Sequence, residues 1–220
     1  MIDPAVIEER ISVARFAPYI ASAHGDLDLA VELYQWNTQM SAALFELLQH
    51  AEVTLRNALA EQLVVLRQAA GDPTGRWFWY ETDTWFSPWW QPAMINNLRN
   101  AVNKASGGDR PVTNGRVVSE LSFGFWRYLL TSHYLDSLWI PGLRHAFPKG
   151  LPRAVVNDLV DQIHHLRNRI AHHEPIYRRD LVSDVLRIEQ LLHWLSPPIA
   201  EWAMQTSRVS SLWEARPTGQ

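Results

Sequence analysis

The residues best suited to chemistry gather in one stretch, LVDQIHHLRNRIAHHEPIYRR, from Leu159 to Arg179. Arginine grips a phosphate through two parallel N–H groups, and histidine exchanges a proton near neutral pH. Arg167, Asn168, His172 and the adjacent His173 bring these two capabilities within a few residues of each other. The pair suits cleavage of RNA by its own 2′-hydroxyl, which needs a proton acceptor or donor and a cation for the phosphate, with neither a metal nor a protein nucleophile. Arg169, Arg178 and Arg179 supply further cations for a substrate, with Glu174 as the acid beside them. His164 and His165 add charge below neutral pH.

These side chains need a helix to place them. Val156, Leu159, Ile163, Leu166 and Ile170 recur with a helical period and predict a buried stripe. At about 100° per residue, Asp161, His165, Asn168 and His172 fall on the opposite face, where Asn168 and His172 are close enough to touch. Arg167 lies about 140° from His172 on an ideal helix, so its side chain must reach round or the helix must deform. Pro175 disfavours helical backbone at Glu174, which puts the helix end there. His172 and His173 then occupy the last turn, where the helix dipole favours an imidazolium.

Around this helix the chain reads as all-α. Asp3-Pro4 opens a segment over residues 4–23, and Asp26 or Asp28 opens a much longer one that Gly71-Asp72-Pro73 stops. Helices are predicted over about 92–105, over 114–121 capped by Thr113, over 152–174 and over 180–195, with a shorter one after Pro197-Pro198. Residues 123–143 are densely apolar, and Ser106-Gly107-Gly108-Asp109 reads as a polar turn. No repeat or linker divides the chain, so residues 1–220 read as a single domain.

Twenty Lys+Arg against 23 Asp+Glu give a net charge of -3, which argues against a protein that coats nucleic acid and leaves room for a local basic site. Eighteen of those 20 cations are arginine, a bias spread along the whole chain. The absence of cysteine excludes disulfides and a thiol nucleophile and fits a cytoplasmic protein. The N-terminal segment does not read as a secretory signal, and no apolar run is long enough for a bilayer, so no membrane association is expected. His165 and His172 stand roughly 10 Å apart along a helix, too far to share one ion, and no metal site is expected.

Two groups admit two readings each. Glu52, Arg56 and Asn57 give either an ion pair at the edge of a packed helix or a set that orients the motif helix from outside. Trp77, Trp79, Trp85, Trp89 and Trp90 either stack bases or fill a core; packing is favoured, because Arg76 is the one cation among them.

A bare Arg–His spacing arises readily by chance: Arg127/His133 and Arg187/His193 repeat the one between Arg167 and His173. The longer string RNRIAHHEPIY is informative, because it resembles the signature of the Abi-like family of bacterial abortive-infection proteins, within the HEPN superfamily. ALFELLQHAEVTLRNAL (43–59), ELSFGFWRYLL (120–130) and LRHAFPKG (143–150) are similar to the same pattern in the same order. The resemblance implies a HEPN-like helical bundle with additional helices, its core at about residues 40–195, that pairs as a homodimer. It implies a metal-independent endoribonuclease without cofactors, acting in phage defence or as the toxin of a toxin–antitoxin pair. Arg167 would hold the phosphate, His172 would act as acid or base, Asn168 would hold the site in place, and His173 satisfies the looser spacing. The partners implied are an RNA substrate, a second copy of the chain, and an antitoxin or regulatory protein. The alternative is a non-catalytic module of the same fold that grips RNA or protein.

Overall fold

The computed structural model describes residues 2–78, 90–107 and 111–218. Its frame is one helix, α3 (Leu27–Ala69), preceded by α1 (Pro4–Ile11) and α2 (Val13–Ser22). With no glycine or proline in its 43 residues, α3 runs unbroken for about 65 Å. Asp26 caps its start by accepting the Leu29 N–H at 3.0 Å. Leu44, Leu48, Leu55 and Leu59 are all buried on it, each stabilising the bundle by roughly 2 kcal/mol.

The remaining helices pack around α3. They are α4 (Pro92–Ala105), α5 (Asn114–Glu120), α6 (Phe123–Tyr128), α7 (Arg153–Ala171), α8 (Leu181–Leu195), α9 (Pro197–Thr206) and α10 (Val209–Glu214). All regular structure among the described residues is helical, so the fold is all-α. None of these helices is long and apolar enough to cross a membrane. Trp36 Nε1 donates to the Leu212 carbonyl at 2.6 Å, which ties α10 back onto α3.

The predicted elements are present, with local differences. The segment over 4–23 is broken at Ser12, whose φ of 91° cannot continue a helix; Ser12 instead caps α2. The apolar run over 123–143 becomes the short α6 and then a chain of 3-10 and π turns. Within that chain Gly142 lies so close to Leu66 that a Cβ there would meet its side chain at 2.5 Å. The helix α10 has no prediction to match it. Trp77 and Trp90 are buried against Phe125, which bears out packing for these two. Trp79, Trp85 and Trp89 lie outside the described residues, as do Gly108 and Asp109 of the predicted turn.

Three helices end in the same way. In each, the residue after the cap adopts a left-handed backbone and the next N–H reaches back five residues, closing the orphan carbonyls of the last turn. Gly71 closes α3, with Asp72 N–H on the Arg67 carbonyl at 3.3 Å. His24 closes α2, with Gly25 N–H on the Ile20 carbonyl at 3.0 Å. His173, at φ 55°, closes α7, with Glu174 N–H on the Arg169 carbonyl at 2.8 Å.

Candidate functional site

The motif helix α7 buries Val156, Val160, Ile163, Leu166 and Ile170, so Leu159 gives up its predicted place in the stripe to Val160 and is half-buried. The helix stops at Ala171, three residues before the expected end, because the left-handed turn at His173 ends it before Pro175 can. His172 is the C-cap residue and is exposed, as is His173. Both stand at the negative end of the helix dipole.

Arg167 points away from His172, toward α3. Its Nε lies 3.7 Å from a Glu52 carboxylate oxygen, an ion pair too long for a hydrogen bond. That Nε is buried and has no hydrogen-bond partner. Glu52 thus reaches the motif helix, and no ion pair joins it to Arg56 among the described residues. Arg56 lies one turn further along α3, half-buried, and its Nε is likewise buried and unpartnered. Asn57 is exposed on the same helix.

Asn168 does not turn to His172. The two are joined only through the backbone, His172 N–H to Asn168 carbonyl at 2.9 Å. The Asn168 amide instead lies 3.3 Å from a ring nitrogen of His164, one turn earlier. The contact runs one turn backward along the helix instead of forward, because the chain leaves helical geometry at His172. His164 packs edge-on against Phe123, and burial, followed by Arg127, His165 and Arg167, holds its pKa below the ordinary 6.5 against the opposing pull of Asp161. A neutral His164 ring can accept the Asn168 N–H. Arg127 on α6 donates to Asp161 at 2.6 Å, and His165 Nδ1 lies 2.8 Å from the Asp161 carbonyl.

The three arginines expected to bind substrate are engaged in local structure. Arg179 makes two 2.8 Å hydrogen bonds to the buried carboxylate of Asp184, which Arg187 also contacts at 3.1 Å. That bidentate clasp makes Arg179 a structural cation, because releasing it would leave Asp184 charged and buried. Arg169 donates to the Pro175 carbonyl at 2.9 Å and pairs with Glu174 at 3.5 Å. Arg178 donates to the Ser22 hydroxyl at 2.7 Å and lies over the Tyr177 ring.

Asn37 has a central part in this site and no place in the motif. It is buried on α3, and its Oδ1 accepts the N–H groups of Ile176 and Tyr177 at 2.8 and 3.1 Å. These bonds fix the strand of chain that leaves the motif helix. The signal for it is a polar residue on the buried stripe, between Leu33 and Met40. Arg15 was equally silent in the sequence; its Nη1 donates to the His173 carbonyl at 2.7 Å.

Together these features define a helical bundle whose candidate site is built at the C-terminal end of one helix, with Arg167 held against α3. A family model for Abi-like proteins matches residues 18–178, well over half of the chain. The chain therefore belongs to the Abi-like protein family, and that membership points to abortive-infection defence as its broad role. The matched span takes in the second half of α2, which lies before the expected core, and ends before α8. Neither the curated proteins nor the solved structures compared with the chain gave a match.

Proposed function

We propose that this protein is a HEPN-type, metal-independent endoribonuclease that acts in phage defence or as the toxin of a toxin–antitoxin pair. The observation that carries this reading is Arg167, half-buried beside Glu52 with its Nε unpartnered, five residues before an exposed histidine at a helix C-terminus. The Nη groups of the same guanidinium, which make no hydrogen bond within the chain and are not buried, offer a phosphate a bidentate grip. His172 takes the proton of the 2′-hydroxyl or returns one to the leaving 5′-oxygen. The 2′-oxygen bonds to phosphorus as the P–O5′ bond breaks, which leaves a 2′,3′-cyclic phosphate and a 5′-hydroxyl. Asn168 and His164 form a neutral pair that keeps this face of α7 in place. Arg167 and His172 diverge within one chain, and a homodimer that brings two copies of α7 to a shared cleft unites the arginine of one with the histidine of the other. An antitoxin or regulatory protein would cover that cleft in an uninfected cell.

The test is cleavage of total and transfer RNA in EDTA by wild type, Arg167→Ala and His172→Ala, with the product ends identified. His172→Ala is expected to slow cleavage by about 10²–10⁴-fold, the range of a general acid–base contribution. Arg167→Ala is expected to be comparably impaired. Normal cleavage by both variants would sink the assignment. A second reading, a non-catalytic module that binds RNA or protein, draws on the separation of Asn168 from His172. Turnover by purified wild type, lost in His172→Ala, eliminates it.

A further inference from the structure

Beside the motif, a cleft of about 520 Å³ opens between α2, α3 and the end of α7. Ala171 and His173 line it, so it flanks His172 in the chain on both sides. Its volume is that of a small-molecule site. Its walls combine two chemistries. Tyr34 and Phe45 supply flat apolar surface, and Phe45 is 43% exposed with nothing covering it. The donors are Arg15 and Asn37. Arg15 spends only Nη1, on the His173 carbonyl, which leaves the rest of its guanidinium free. Asn37 is only 6% exposed, and its Oδ1 accepts two backbone N–H groups, while its Nδ2 bonds to no protein atom and is reached by solvent from the cleft.

The Asn37 N–H, left to solvent in a cleft wall, can donate to an acceptor placed there. A ring carbonyl or ring nitrogen of a nucleobase is such an acceptor and presents a flat face to aromatic walls. A phosphate attached to the same nucleoside meets the free N–H groups of Arg15. We propose that this cleft is a subsite for one unpaired nucleotide of the RNA substrate, adjacent to the scissile phosphate, with the base against Tyr34 and Phe45 and the flanking phosphate on Arg15. This rests on the nuclease reading for the identity of the ligand and on the cleft itself for its chemistry. The left-handed backbone at His173 has a role here, because it turns that residue into the cleft wall and presents its carbonyl to Arg15.

The experiment measures binding of the four ribonucleoside monophosphates to the full chain by calorimetry, in wild type, His172→Ala, Ala42→Trp and Phe45→Ala. Ala42 is an exposed lining residue, so the tryptophan fills the cleft without entering the core, and Phe45→Ala strips one wall. At least one nucleotide is expected to bind wild type and His172→Ala alike. Ala42→Trp is expected to weaken it tenfold or more, and Phe45→Ala severalfold. In RNA cleavage, Ala42→Trp is expected to raise KM with little change in kcat. No binding by wild type, or binding that Ala42→Trp and Phe45→Ala both leave unchanged, overturns the subsite. Nucleotide binding without RNA cleavage keeps the subsite and removes the nuclease. Cleavage with an unaltered KM in Ala42→Trp keeps the nuclease and removes the subsite.

Discussion

The ends of α3 and α7 are built to one plan. Each closes with the same pair of backbone hydrogen bonds, each joins an arginine in the last turn to an acid two residues past the cap, and each is followed at once by proline. At α3 the parts are Arg67, Gly71, Asp72 and Pro73; at α7 they are Arg169, His173, Glu174 and Pro175. Two things differ. Arg67 has a side chain only 11% exposed, against 40% for Arg169. The left-handed position holds glycine in one and histidine in the other, although a non-glycine residue there costs about 1–2 kcal/mol. Histidine is not itself a signature, since His24 closes α2 in the same way. His173 stands apart because its carbonyl holds Arg15 and it lines a cleft. One end is built for stability. The other gives some up beside the candidate site, where strain accompanies function.

The comparison can be broken most forcefully at the arginines. Arg67→Ala removes a buried side chain with its ion pair and is expected to cost about 3 kcal/mol in denaturant unfolding. Arg169→Ala, at the exposed end, is expected to cost under about 1 kcal/mol. Equal losses would show that the two closures carry the same load. Gly71→Ala comes next, at about 1 kcal/mol, because the cost is conformational: an added Cβ at Gly71 meets nothing within 4 Å.

His173→Gly reverses the sign. It is expected to raise the melting temperature by a degree or two, through relief of up to about 1 kcal/mol of strain, while weakening nucleotide binding. A loss of stability would mean the imidazole packs better than its exposure suggests. The smallest effect belongs to Asp72. Hydrogen bonds from the Thr74 hydroxyl and backbone N–H, with Arg67, hold its carboxyl below the usual carboxylate range. The folded state therefore releases that proton more readily than the unfolded chain. Its stabilising contribution is full above pH about 4 and fades as pH falls through the lowered value. Asp72→Asn should flatten the acid limb of a stability–pH curve below pH 4, and an unchanged limb would contradict the assignment.

Much of this was legible in the sequence, for reasons that can be named. The long α3 announces itself through apolar spacing and Gly71-Asp72-Pro73, which are local signals. Arg167 and His172 are legible as residue types, yet their divergence came only as an angle on an ideal helix. The partner of Glu52 is Arg167, more than a hundred residues later, and only folding selects it over the nearer Arg56. The break at Ser12 and the left-handed turn at His173 were not legible, because neither residue is glycine and nothing local demands a positive φ there. That Asn168 meets His164 was not legible either, because helical spacing allows a contact one turn forward or back, and the chain bends away in front of it. The engagement of Arg179 by Asp184 depends on α8 folding beneath it.

The bonds from Ile176 and Tyr177 to Asn37 join groups 139 and 140 residues apart. On a ribosome that separation becomes time: at 5–20 residues per second, about 7–28 seconds pass between the synthesis of the two partners. Until then α3 carries an unsatisfied carboxamide and the segment beyond His173 has nothing to hold it. The contact order of this one clamp makes assembly of the site a late event in the life of the nascent chain. A chain interrupted before Tyr177 has the motif residues in sequence without the anchorage that sets their geometry.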